Sequence, residues 1–229
     1  MTPTPTTREG ETMDTDNPVV RLCSEGMRAE AEGRDDDARD LFRRAWETAA
    51  DDYEACVAAH YLARHQPTPR LTLRWNLECL ERADRVGDDR VRGFYASLHL
   101  AMAAAHGDLG ERDAAREHFE RAAARVDDVP PGPYRDGTRM AIAEGLRSTG
   151  AVERRAVDGP LNELLAAWCA RGDLKALGLV LPARLADLGT EDDRVRLAAA
   201  LHLVHAARWL PEGEQRALGA IVAALTGAS

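Results

Sequence analysis

The sequence predicts an all-α fold. Three observations carry that expectation. Strand formers are scarce, with isoleucine only at Ile142 and Ile221 and aromatic residues at 5% of the chain. Strong helix formers dominate, alanine first among them. Apolar residues recur at helical spacing between capping and breaking residues. At 229 residues the chain can bury a real core, as one ordinary domain or two small ones, without disulfide or metal staples.

Taken in order, residues 1–16 are rich in Thr, Pro, Glu and Asp without apolar periodicity and are expected to form a disordered tail, with Met13 an alternative start. Asp16-Asn17-Pro18 opens the ordered part: an Asx cap precedes a proline at the first helical position. A small-large-small pattern then recurs as Ala38-x3-Phe42-x2-Ala45, Asn76-x3-Leu80-x2-Ala83 and Ala115-x3-Phe119-x2-Ala122, at steps of 38 and 39 residues. Residues three or four apart share one helix face, so each stretch offers a notch, a plug and a second notch. A helix is expected before each of them, over 18–32, 52–65 and 92–107, with Gly33, Gly107 and Gly110 at the turns. Pro130, Pro131 and Pro133 break the chain before a further helix over 134–148.

With Gly26, Ala29, Gly33, Ala38, Phe42 and Ala45 in the first unit and Met102, Ala103, His106, Gly110, Ala115, Phe119, Ala122 and Pro130 in the third, the chain resembles the tetratricopeptide repeat family. The second unit departs from the pattern, with HQPTPR in its turn, Asn76 at a small position and about five extra residues. The resemblance implies a right-handed α-solenoid of helical hairpins over 18–148, with units of about 18–50, 52–88 and 91–127 and an extra helix at 134–148. It also implies a concave groove that takes a peptide or a helix, with Met27, Glu30, Cys56, His60, Arg64 and Leu100 on it. The family's clamp of Lys and Asn around a C-terminal carboxylate has no counterpart at these positions.

Residues 149–158 are polar and are expected to be a linker to a four-helix C-terminal region over 159–227. Leu161, Leu164, Leu165 and Trp168 fall at i, i+3, i+4 and i+7 before Gly172, and Asp173 opens a helix that contains Pro182 and ends at Gly189. Thr190 with Asp193 resembles a capping box for the next, and Pro211 opens the last, which carries Leu218, Ile221, Val222 and Leu225. These helices could continue the solenoid, cap it, or form a separate lobe.

The net charge is −9 and no basic cluster is visible, which argues against nucleic acid and anionic lipid as partners. Lys175 is the sole lysine among thirty basic residues, a mark of GC-rich bacterial codon usage, so arginine content by itself points to no phosphate ligand. No apolar run suits a membrane span and the N-terminal residues lack the apolar core of a signal peptide. Cys23, Cys56, Cys79 and Cys169 are scattered like reduced thiols. The expectation is a cytoplasmic protein.

Asp36-Asp37-Ala38-Arg39-Asp40 is a literal DDxxD, the diphosphate–magnesium signature of helical isoprenoid enzymes. Yet Asp51-Asp52, Asp88-Asp89 and Asp192-Asp193 are further acidic pairs, and all four sit at expected helix starts, where carboxylates complement the helix dipole. Cys56, His60 and Arg64 form an i, i+4, i+8 stripe, better suited to contacting a ligand than to holding a metal. His99 and His106 fall at core positions, where a histidine bonded to a backbone carbonyl is expected, and His202 with His205 lacks a third ligand. No catalytic residue, cofactor or metal is expected. The functional expectation is therefore a non-catalytic protein-interaction scaffold with a protein or peptide partner. Its rivals are an enzyme or accessory protein of bacterial specialised metabolism, holding a small substrate near His60, Arg64 and His106, and a regulatory module.

Overall fold

The computed structural model describes residues 17–227, so the expected tail 1–16 and the alternative start at Met13 lie outside the described residues. Every long element is an α-helix, and the described residues contain no strand. The chain divides into two compact units, the first ending at Val91 and the second beginning at Arg92. This division falls inside the stretch 18–148 that sequence groups as one repeat domain.

The first unit holds α1 (Pro18–Ala31), α2 (Asp35–Thr48), α3 (Asp52–Ala63) and α4 (Pro69–Val86), with the single turn α5 (Asp89–Arg92) at the boundary. Three caps set its register. Asn17 Oδ1 accepts from the Val19 and Val20 amides, Asp51 from Glu54, and Thr68 from Leu71, each satisfying a donor left free at a helix start. The heaviest packing joins chain neighbours, α1 with α2 and α3 with α4, while α2 packs on α3 and α1 touches α3. Phe42 is fully buried, and a Cβ on Gly26 would fall 2.4 Å from its ring, so glycine alone lets the ring sit on the α1 backbone. The second copy of the motif is altered. α4 has 18 residues against 14 in α2, which accounts for the extra length, and Asn76, Cys79 and Ala83 line its buried side while Leu80 is half-buried. Buried Asn76 is tolerated because its Nδ2 donates to the Thr72 carbonyl at 2.9 Å.

The second unit opens with α6 (Phe94–Asp108), α7 (Arg112–Arg125) and α8 (Pro133–Thr149), packed around Ala96, Ala122, Val126, Ile142, Ala143 and Leu146. Here Phe119 meets Gly145 of α8, where a Cβ would lie 2.1 Å from the ring. Four helices follow: α9 (Asp158–Arg171), α10 (Leu174–Leu185), α11 (Glu191–Ala207) and α12 (Glu212–Gly227). They share a separate leucine-rich core with Trp168, Leu161, Leu197, Leu201 and Leu218 fully buried, and α12 returns to pack on α9. Burial of each of these side chains stabilises by about 1.5–3 kcal/mol. Trp168 keeps its polar edge satisfied, donating to Glu214, which also receives both ends of Arg171.

The group α9–α12 is fastened to α8 by buried polar contacts. Arg139 of α8 donates to Asp193 at 2.7 Å and to the Ala186 carbonyl at 3.1 Å. Asp193 also accepts from Thr190 Oγ1 and the Leu188 amide, while its own amide donates to Thr190 Oγ1. The expected Thr190–Asp193 cap is present and serves as a tertiary anchor as well. Burial opposes the charge on Asp193, but these hydrogen bonds and the Arg139 guanidinium hold its carboxyl below the ordinary carboxylate value.

Candidate functional site

The residues singled out on the first unit sit on α1 and α3, helices that touch directly. Arg64 at the end of α3 pairs with Glu30 of α1, and His65 Nε2 lies 3.7 Å from the same carboxylate. Beneath this polar rim Tyr61 and His65 both stack on Phe42, with ring centroids 5.2 and 5.3 Å apart. The Arg64 guanidinium lies 5.8 Å from the Tyr61 ring. Met27 is 39% exposed on α1. His60 is half-buried; desolvation, with help from the Arg64 charge, brings its pKa down to about 4, so it is neutral near pH 7.

Structure therefore brings Glu30, Arg64 and the Tyr61–His65 aromatic pair together, with Met27 accessible on α1. One expected member does not join them. Cys56 is fully buried, its Sγ 3.5 Å from Cys79 Sγ across α3 and α4, so it fills the core and offers no ligand contact. The reason is geometric: i+4 steps advance about 40° around a helix, so Cys56 and Arg64 point about 80° apart. Leu100 belongs to the second unit, where it is half-buried against the α6–α8 core. Two of the thiols are also poor ligands or nucleophiles: burial pushes Cys23 up to about 12, and the Cys56 contact together with burial raises Cys79.

The other motifs resolve into local pairing. Asp36 and Asp37 engage Arg39 and Arg34, and Asp40 engages Arg43, so the DDxxD carboxylates are spent on neighbouring guanidiniums in the first turns of α2. No side chain accepts from the free amides at the start of α2, where Arg34 is the N-cap, so these aspartates complement the dipole without capping, whereas Asp51 caps α3 directly. His99 is buried as expected, but its Nδ1 faces His118 Nδ1 at 3.2 Å; His106 stacks on His118 and pairs with Glu111 at 2.6 Å. Desolvation and the neighbouring His106 and Arg121 keep His118 below its usual pKa. Among the described residues no group of three His, Cys, Asp or Glu side chains is arranged to hold a metal, and no helix is long and apolar enough to cross a membrane.

Two features escaped sequence reasoning. On α10 and its packing neighbour α11, Leu174, Leu203 and Val195 are 79%, 59% and 55% exposed, with Leu179 and Leu185 also accessible. Leu174, Gly178 and Leu185 share one face of α10, as Val195, Ala199 and Leu203 do on α11. A count of apolar residues per helix, more than one buried face needs, would have revealed it. The second feature is a cleft at the 149–158 stretch, lined by residues from within 147–162 and 184–187. Only the adjacent Arg154 and Arg155 signalled it. Neither a protein-family model, a curated protein nor a solved structure matches the chain.

Proposed function

We propose that this chain is a non-catalytic scaffold that binds partner proteins, built on tetratricopeptide-like hairpins in a right-handed solenoid and acting in the cytoplasm. The observation that carries the reading is the uncovered apolar surface of α10 and α11, with Leu174, Leu203 and Val195 more than half exposed. Exposed apolar side chains concentrated on two packed helices are a mark of protein–protein contact, whereas scattered single ones need no explanation. An amphipathic helix of a partner is the matching occupant, because it lays rows of apolar side chains along a two-helix face. The α1–α3 face with Met27, Glu30 and Arg64 offers a second, mixed surface for an extended peptide: a polar rim over stacked aromatics.

The test places a photo-crosslinking residue at Leu203 and another at Met27, in cells that express the protein natively, and identifies the products by mass spectrometry. The reading expects a defined polypeptide crosslinked from Leu203 and lost when Leu174→Glu and Val195→Glu are introduced together. Recovery of no defined polypeptide from either position, or a crosslink indifferent to the glutamates, overturns it.

A further inference from the structure

Between the end of α8, the Gly150–Val157 connection, the start of α9 and the end of α10 lies a cleft of about 540 Å³. Its wall carries Arg147, Arg154, Arg155 and Arg184 against Glu153, Asp158 and Asp187. In a chain with nine more acidic than basic residues this is a local reversal of sign. The carboxylates are not equally available. Asp187 is buried, receives Arg155 on one oxygen and the Gly189 amide at 2.9 Å on the other. Asp158 is buried too: one oxygen accepts the Arg155 amide at 2.9 Å and the other stands 3.4 Å from Arg184 and 3.5 Å from Arg155. Asp187 is thus committed to Arg155, while Asp158 ion-pairs with Arg184 and Arg155 without its Oδ1 receiving a hydrogen bond.

Arg147 and Arg154 remain. Arg147 reaches only main-chain oxygens, those of Asp187 at 3.2 Å and Leu185 at 3.5 Å, and has no carboxylate partner among the described residues. Arg154 is exposed and likewise has no acidic partner among them. Burial, then the nearby Arg184 charge, depresses the Arg147 pKa against the opposing pull of Asp187, Glu144 and Asp158. Guanidinium forks match the paired oxygens of a phosphoryl group, and the exposed Asn162 side chain on the wall adds an amide donor. The volume lies in the range of small-molecule sites and far exceeds that of a bare oxyanion.

We propose that this cleft binds a small phosphate monoester, with Arg147 and Arg154 taking the phosphoryl oxygens and Asp158 and Asp187 holding Arg155 and Arg184 in position around it. The site is independent of the protein-binding surfaces proposed above, so either reading can fail without the other. Isothermal titration of the full chain with inorganic phosphate, glycerol phosphate and AMP, and with glycerol and adenosine as controls, tests it. Saturable binding of a monoester at least tenfold tighter than inorganic phosphate is expected, with no heat from the unphosphorylated controls. Arg147→Gln combined with Arg154→Gln should weaken that binding at least tenfold at unchanged far-ultraviolet dichroism. Arg154→Gln alone, at an exposed position that cannot disturb the fold, should weaken it about threefold. Absence of saturable monoester binding at millimolar concentration, equal affinity for phosphate and monoester, or undiminished affinity in Arg154→Gln each overturns the proposal.

Discussion

Phe42 and Phe119 occupy equivalent places in the same Ala-x3-Phe-x2-Ala motif, yet the two units use them differently. Phe42 is fully buried, lies against Gly26 of the helix before it, and carries Tyr61 and His65 stacked on its faces. Phe119 is half-buried and meets Gly145 on the helix after it. The motif therefore specifies a plug and the need for a glycine notch, while the neighbouring helix that supplies the notch is a tertiary choice. The largest expected effect follows from this difference. Phe42→Ala should cost about 4 kcal/mol of unfolding free energy, since it removes a complete core side chain and leaves a cavity under two rings. Phe119→Ala should cost about half as much. Equal losses in urea titrations of the two variants would break the distinction.

The units also differ in how charge fastens their helices. In the second unit Asp193 has no exposed side-chain surface and holds Arg139 across to α8, whereas the Glu30–Arg64 pair of the first unit is open to solvent at its arginine end. Breaking a buried pair strands the remaining charge, so Asp193→Ala should destabilise by about 3 kcal/mol. Amide exchange resolved by residue should show the acceleration concentrated in α8, α10 and α11. Protection retained across those helices would mean that the apolar core alone sets their packing.

Acid should weaken the first unit through His60, and the second through His118 as the pH falls below the ordinary histidine value and then through Asp193. His60 has a folded pKa of about 4, below the ordinary value of 6.5, so between these values the unfolded chain takes up a proton that the folded chain refuses. Stability contributed by neutral His60 is complete above pH 6.5, falls through the interval, and is lost by pH 4. With some solvent contact remaining, the loss is about 2 kcal/mol. Asp193 is depressed from the usual carboxylate range, so its contribution persists until the pH falls below about 4. Urea midpoints measured from pH 7 to 4 should decline in the wild type and decline less in His60→Gln. Parallel slopes for the two proteins would remove His60 from the account.

Much of the architecture was legible because caps and breakers act locally. Asn17, Asp51 and Thr190 each cap the helix that sequence assigned to them, and the all-α expectation holds throughout the described residues. Side-chain direction was less legible. Cys56, His60 and Arg64 read as one stripe, but the 40° drift per i+4 step carries Cys56 into the core and leaves Arg64 at the rim. The arginine cleft was hidden for another reason: Arg147, Arg155 and Arg184 come from α8, a connection and α10, and nothing in linear order marks their convergence. Likewise Leu174 and Leu203 look like core leucines until the neighbouring helices are placed and leave them uncovered.

The smallest expected effect bears most on whether the first unit presents a binding face. If Glu30 and Arg64 are a surface pair awaiting a ligand, Arg64→Ala should change stability by no more than about 0.5 kcal/mol, because an exposed ion pair is screened and costs side-chain entropy to hold. Its effect should be confined to contacts made by Met27 and Glu30. A loss near 2 kcal/mol would show instead that Arg64 braces α1 against α3 through Glu30 and the Tyr61 ring. The pair would then resemble Arg139–Asp193 in the second unit, and the contrast between an open, partner-facing charge and a closed, structural one would collapse.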